Sequence, residues 1–257
     1  MREDIADGVR RGSSTLEDDS LPRRSVTIGC ISLTPQGGRA FIRRDRGSSS
    51  RKVPAVDRRD TVAGVVLAAG TSSRMGRNKL LLQLGGQTVL RRAVRTAIDA
   101  GLEPVLVVLG HESEQSRGEL AGLPCEVVLN PAYQEGIHSS VRTGIGGVPE
   151  RCTAAVVLLA DMPLVDAPMI RTLVERYRNE RPPLVVSDYQ GVDAPPILYD
   201  RQLFGELRAL EGEGCGKRVV KRHTAEAIRI GWPARALTDL DRPEDVDRVR
   251  AELGEAR

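Results

Sequence analysis

From residue 61 onward, short uninterrupted apolar runs alternate with amphipathic stretches, the pattern of parallel strands joined by crossover helices. The strand-like runs are VAGVVLA (62–68), PVLVVLG (104–110), CEVVLN (125–130), AAVVLLA (154–160), PLVVS (183–187), PPILY (195–199) and AIRI (227–230). Their Val, Leu and Ile residues follow one another without polar alternation, which predicts strands buried on both faces. Helices are predicted over 88–100, 113–121, 138–146, 166–179, 201–210, 216–222 and 243–252. Thr88 stands where the first needs an N-cap and Gly101 where it must stop; Asp241 followed by Pro243 opens the last. The expected architecture is one α/β domain over residues 61–257 with a mostly parallel sheet.

Residues 1–60 read differently. They carry 13 Lys/Arg against 9 Asp/Glu, whereas the remainder carries 25 against 26, so the overall charge of +3 comes from this segment. Apolar pieces such as VTIGCISL and AFI are too short to offset the entropy of ordering the chain. We expect a disordered basic extension over 1–60, with VTIGCISL at most a stray strand. The acidic residues Glu3, Asp4, Asp7, Glu17, Asp18 and Asp19 argue against a transit peptide, and no signal-peptide core is present.

Further classes drop out on composition. No apolar stretch approaches the ~20 residues that span a bilayer, and the near-neutral charge of 61–257 offers no basic face for nucleic acid. The four cysteines, Cys30, Cys125, Cys152 and Cys215, are widely spaced, which suggests reduced thiols in a cytoplasmic protein rather than disulfides or zinc. Three histidines leave little scope for histidine-based metal chemistry, and the low aromatic content makes base stacking an unobvious mode of recognition.

The chemistry concentrates where the first strand ends. VVLAAGTSSRMGRNKLLLQL (65–84) runs from an apolar strand into glycine and small residues, then Arg74, Gly76 and Lys79. Backbone N–H groups freed by small residues donate to anions, and the two cations neutralise a polyphosphate. Five residues separate Gly70 from Gly76 and Lys79 follows further on, so neither the Walker spacing nor the dinucleotide fingerprint is met. A plain strand-to-helix turn is the alternative.

The string LAAGTSSRMGRNK resembles the signature L-A-[AG]-G-x-[SG]-x-R-M-G-x-x-K of nucleotidyltransferases that transfer NMP from an NTP, and among them the MobA-like transferases of the molybdenum cofactor. The resemblance implies a single three-layer Rossmann-like nucleotidyltransferase domain. It also implies that Leu67, Ala68, Ala69, Gly70, Arg74, Gly76 and Lys79 hold the nucleotide, with Arg74, Lys79 and Asp161 catalytic. LLADMPLV is similar to the family's G-D-M-P segment, with Ala160 for Gly, and makes Asp161 a ligand of Mg²⁺. A carboxylate beside a polyphosphate needs a cation between them, and Mg²⁺ takes one or two carboxylates plus substrate phosphates; capping of a turn before Pro163 is the alternative. LTDLDRPEDV resembles D-[IL]-D-T-P-E-D and makes Asp241 the second metal ligand, an N-cap role remaining open.

NPAYQEGIHSSVRTGI (130–145) resembles N-P-x-[YW]-x-x-G-[IM]-x-x-S-[LV]-x-x-G, matching at Asn130, Gly136, Ser140 and Gly144, and implies contact with base and ribose. Ser139 and Ser140 on their own read as helix donors or caps, and His138 as a packing or surface residue. On the acceptor side GVDAPPILYD resembles G-x-x-G-[HN]-P-[VI]-L-[FY], with Ala194 and Pro195 departing from it, and GEGCGKR (212–218) resembles G-D-x-G-[AG]-R; Pro196, Gly216 and Arg218 are thereby expected to bind the acceptor. Ala69 matches the cytidylyl branch, which has L-A-A-G where the guanylyl branch has L-A-G-G. The expected substrates are CTP and the molybdenum cofactor, with transient contact with a molybdenum hydroxylase apoenzyme. Transfer of GMP, another phosphorylated acceptor, or a non-catalytic delivery role are the competing readings.

Overall fold

The computed structural model describes residues 60–254 except 73, 74, 213 and 214. The expectations for 1–59, for Arg74 and for the centre of the GEGCGKR loop lie outside the described residues. In chain order the elements are β1 (Thr61–Ala68), β2 (Gln83–Leu84), β3 (Gln87–Thr88), α1 (Val89–Asp99), β4 (Val105–Leu109), α2 (Ser113–Glu119), β5 (Glu126–Leu129), α3 (Ile137–Gly146), β6 (Cys152–Leu159), α4 (Ala167–Glu180), β7 (Leu184–Asp188), β8 (Asp193–Asp200), α5 (Phe204–Arg208), α6 (Cys215–Arg222), β9 (Ile228–Gly231) and α7 (Pro243–Glu252). Every strand and helix expected from the periodicity is present, with 201–210 divided into a 3₁₀ turn at Arg201–Leu203 and the short α5. Thr88 caps α1 by accepting from the Arg91 N–H at 3.3 Å, and Gly101 ends that segment at φ +80°.

Seven strands form one sheet in the order β5-β4-β1-β6-β8-β7-β9. β4 and β6 flank β1 in parallel, so the strand order reverses direction at β1, the switch point beyond which ligands bind in open α/β sheets. β8 runs antiparallel to both β6 and β7. The cause is local: only residues 189–192 join β7 to β8, too few for a crossover, and Gln190 and Gly191 turn the chain at φ +56° and +92°. A hairpin not anticipated from the periodicity, β2 with β3, turns at Gly85 and Gly86, both with positive φ, and leads the chain from the first loop into α1.

Alternate residues of β1 serve two cores. Val62, Val66 and Ala68 face the layer of α1, α4 and α7 with Leu90, Ile170, Leu173 and Val249; Ala63, Val65 and Leu67 face α3, α5 and α6 with Ile145, Phe204, Leu207 and Val219. The result is the expected three-layer α/β domain. The expectation of two-sided burial fails at both edge strands, at β5, where Glu126 and Leu129 are exposed and Val127 and Val128 half-buried, and at β9, where Arg229 is exposed and Ile228 and Ile230 half-buried, because an outermost strand lacks a neighbour on one side. Among the described residues no helix is long and apolar enough to cross a membrane.

Candidate active site

β1 delivers the chain at Ala69 to the carboxyl edge of the sheet, into a pocket of about 350 Å³. Eight residues singled out from the sequence line it: Leu67, Ala68, Ala69, Gly70, Lys79, Gly136, Ser140 and Asp161. Thr71, Ser72, Leu80, Tyr133, Gln134, Ile137 and Leu159 line it as well. Ser72 adopts φ +51°, a left-handed conformation rare outside glycine, while its hydroxyl accepts from the Lys79 N–H at 3.1 Å and its carbonyl from the Met75 N–H at 2.9 Å. Asn78 caps the 3₁₀ turn Lys79–Leu81, accepting from Leu80 N–H at 3.1 Å. These two short-range bonds fix where the Lys79 side chain leaves the loop. Gly76, exposed with φ +65°, shapes the loop without lining the pocket.

Asp161 follows β6 directly, and Asp241 lies 80 residues later in the chain just ahead of α7. The Leu240 N–H donates to the Asp161 carbonyl at 3.1 Å, which holds the two segments side by side. Their carboxylates converge on one ammonium: Lys79 Nζ lies 2.5 Å from Asp161 Oδ2 and 2.9 Å from Asp241 Oδ1. Partial burial pulls the Lys79 ammonium down, and Asp161 and then Asp241 more than offset it, leaving it above its ordinary value.

The starts of the two helices that follow these aspartates are served by other residues. Asp166, not Asp161, caps α4 by accepting from Met169 N–H at 2.9 Å, and the start of α7 is closed by Asp245, whose Oδ2 accepts from the N–H groups of Arg242 and Asp241. A third carboxyl was missed although the doublet D-L-D contains it: Asp239 is exposed as a whole residue, yet desolvation and then the neighbouring Asp161 push its carboxyl up to about 6, against the pull of Lys79. Two carboxylates around one ammonium with a third acid beside them leave an excess of negative charge at an all-oxygen donor set. That composition suits a hard divalent cation such as Mg²⁺. Among the described residues no group of three or more His, Cys, Asp and Glu side chains is assembled to hold an ion.

Asn130 is buried, outside the pocket lining, and works from below. Its side-chain N–H₂ donates to Ser139 Oγ at 2.8 Å and Ser140 Oγ at 3.1 Å, and its Oδ1 accepts from Ala132 N–H at 3.0 Å. Ser139 Oγ in turn donates to the Gly136 carbonyl at 2.8 Å. Asn130 thereby orients the hydroxyl of Ser140 that lines the pocket. Asn130→Ala leaves two buried hydroxyls short of a donor, so a loss of about 1–3 kcal/mol in unfolding free energy is expected, together with a raised nucleotide KM; an unchanged denaturation midpoint would count against this role. His138 is buried in the same helix, the packing position expected of it.

Opposite, Tyr133 provides an aromatic wall that the low aromatic content had hidden. A Cβ placed on Gly110 would lie 2.7 Å from Tyr133 Cβ and 2.9 Å from Ala69 Cβ, so the missing side chain at the end of β4 is what lets tyrosine and alanine meet. The acceptor-side expectations lie elsewhere: Pro196 is buried in β8, its carbonyl accepting from Ser187 Oγ at 2.7 Å, and Gly216 and Arg218 sit on α6, with the Arg218 guanidinium donating to the Glu211 carbonyl. None of the three lines the 350 Å³ pocket.

Comparison with known proteins shows the family. The model of the MobA-like NTP transferase domain matches residues 64–227. The chain is 31% identical over 202 residues to the purine catabolism protein PucB of Bacillus subtilis, covering 73% of this chain and 95% of that one. It is 29% identical over 196 residues to a probable molybdenum cofactor guanylyltransferase of Opitutus terrae, covering 74% and 95%. The structure of Rv0371c from Mycobacterium tuberculosis superposes with a TM-score of 0.67 at 28% identity, covering 75% of this chain and 98% of that one. The same protein in complex with manganese superposes with a TM-score of 0.63 at 26% identity over 74% and 98%. With the phosphate-loop motif, the strand-end aspartate and the family match falling on one continuous domain, the chain belongs to the MobA-like NTP transferases, a family of nucleotidyltransferases.

Proposed function

We propose that the protein transfers CMP from CTP to the phosphate of the molybdenum cofactor, releasing pyrophosphate. The observation that carries this reading is the convergence of Asp161 and Asp241 on Lys79 at the rim of a pocket walled by the loop 67–72 and Ser140. An oxygen of the acceptor phosphate attacks the α-phosphorus in line. The new P–O bond forms as the bond to the bridging oxygen breaks, and pyrophosphate leaves with that electron pair. Both reactants are anions, so what the protein must supply is positioning and charge stabilisation rather than a covalent intermediate.

Each residue then has a task. The backbone of the loop after β1 and the Lys79 ammonium hold the triphosphate, with Arg74 assigned beside them from its place in the motif. Ser140, Gly136 and the Tyr133 wall take the nucleoside end. Asp161 and Asp241 would hold Mg²⁺, which supplies charge neutralisation across the phosphates when bound; the manganese complex of the relative Rv0371c supports a divalent ion in this family. Pro196, Gly216 and Arg218 are assigned to the acceptor on motif position, and residues 1–60 are taken as an extension outside the catalytic domain.

The Ala69 methyl in the pocket wall leaves less room for a purine and supports CTP. The guanylyltransferase named among the relatives favours GTP as the second reading. Mass spectrometry of the product formed from equimolar CTP and GTP with molybdenum cofactor and Mg²⁺ decides between them. A CMP-linked cofactor is expected. A GMP-linked product replaces the nucleotide assignment, and cofactor binding without any pyrophosphate release replaces catalysis by delivery to a molybdenum hydroxylase apoenzyme.

A further inference from the structure

The position between the Asp161 and Asp241 carboxylates is held by Lys79 Nζ, at 2.5 and 2.9 Å. Those are the oxygens that the nucleotidyl-transfer reading assigns to the divalent cation, and an ammonium and a metal ion cannot both sit between them. Lys79 is anchored at its backbone by Ser72 and by the Asn78-capped turn, so only its flexible side chain has to move for the carboxylates to be released. The side chain is also mostly shielded, 13% exposed against 23% for Asp161 and 43% for Asp241, which limits solvent screening of the pairs it makes.

We propose that Lys79 stands in for the divalent cation until nucleotide arrives. In the nucleotide-free protein its ammonium neutralises the carboxylate pair and opposes metal binding. A triphosphate entering along the loop 69–72 draws the ammonium onto its phosphates and leaves the carboxylates facing a cation. The site is thereby loaded with metal and nucleotide together rather than with metal alone. This rests on the assignment of Asp161 and Asp241 as metal ligands in the proposed transfer reaction, and goes beyond it in giving one lysine two successive partners.

The test is Mn²⁺ binding to the full chain without nucleotide, read as loss of the free-ion signal in electron paramagnetic resonance. Wild type and Lys79→Arg, which both keep the cation, are expected to bind Mn²⁺ weakly. Lys79→Met is expected to bind it at least about tenfold more tightly, because removing one positive charge a few ångströms away lowers the repulsion on the metal. Lys79→Gln, which keeps an N–H donor toward the carboxylates, serves if Lys79→Met does not fold, as judged by circular dichroism. Adding Asp161→Asn to either variant should abolish the gain. CTP affinity should move the opposite way and weaken in the same variants. A folded variant whose Mn²⁺ affinity is unchanged or lower, or a gain that survives Asp161→Asn, overturns the proposal. Failure of the transfer reading is separate: it shows as absence of pyrophosphate with every nucleotide, whatever the metal titration gives.

Discussion

Lys79→Ala is expected to lower kcat/KM for nucleotidyl transfer by about 10²–10³, the cost of losing one preorganised electrostatic stabiliser. The size follows from what surrounds the ammonium. Asp161 and Asp241 lie within 2.9 Å of it, and Asp239 is near enough for the ammonium to pull its carboxyl down, although desolvation and then Asp161 hold it up at about 6. In the proposed transfer, truncation removes the cation that holds the triphosphate beside this cluster of acids. A single unlike pair at ~4 Å is worth roughly 4 kcal/mol at an effective dielectric of 20, and partial solvation brings the loss to about 3–4 kcal/mol in the transition state. Steady-state kinetics with saturating acceptor measures it. Activity within threefold of wild type in a folded variant would remove Lys79 from the mechanism.

The second large effect is on stability, at Gly144. This glycine matches the motif that the resemblance ties to base and ribose, but the structure puts it under the site: α3 crosses β1 and β4 so closely that a Cβ on Gly144 would lie 2.4 Å from Val65 Cγ1 and 2.9 Å from Val108 Cγ2. Helix propensity alone favours Gly→Ala by about 1 kcal/mol. Forcing α3 off the sheet costs about 1–3 kcal/mol, more where the backbone cannot yield, and both contacting valines are fully buried. Gly144→Ala is thus expected to destabilise the domain and, by tilting the N-terminal end of α3, to displace Ser140 and raise the nucleotide KM. Gly146→Ala in the same helix, where a Cβ meets nothing within 4 Å, is the control and should be neutral or slightly stabilising. Equal chemical-denaturation midpoints for the two variants would refute the packing argument.

Much of the site was legible because its chemistry is contiguous. The segment 67–79 carries its small residues, its turn glycine and its lysine within one stretch that can be read directly along the chain. Tyr133 was visible only as the [YW] position of the 130–145 motif; that it becomes a pocket wall depends on Gly110, from another strand, leaving room for it. Asp239 was visible in the D-L-D doublet, but its perturbation depends on desolvation in the folded chain and then on Asp161. For Asp161 and Asp241 the residues alone left metal ligand and helix cap open. At the starts of α4 and α7 the structure places Asp166 and Asp245 as the acceptors of backbone N–H groups.

The sequence by itself determined the class of fold, the placement of every principal strand and helix from residue 61 onward, and the loop after β1 that carries the family signature with its lysine. These depend on hydrophobic periodicity and on motifs read along the backbone, which are local. The tertiary structure alone decided that β8 runs against its neighbours, that Asn130 lies beneath the pocket holding Ser139 and Ser140, and that Lys79 spends its charge on two distant carboxylates. The reason is physical: electrostatic and packing energies depend on distances in space, and residues 79, 161 and 241 become neighbours only once the sheet has brought the ends of β1 and β6 to one edge and the Leu240 bond has drawn the last segment in.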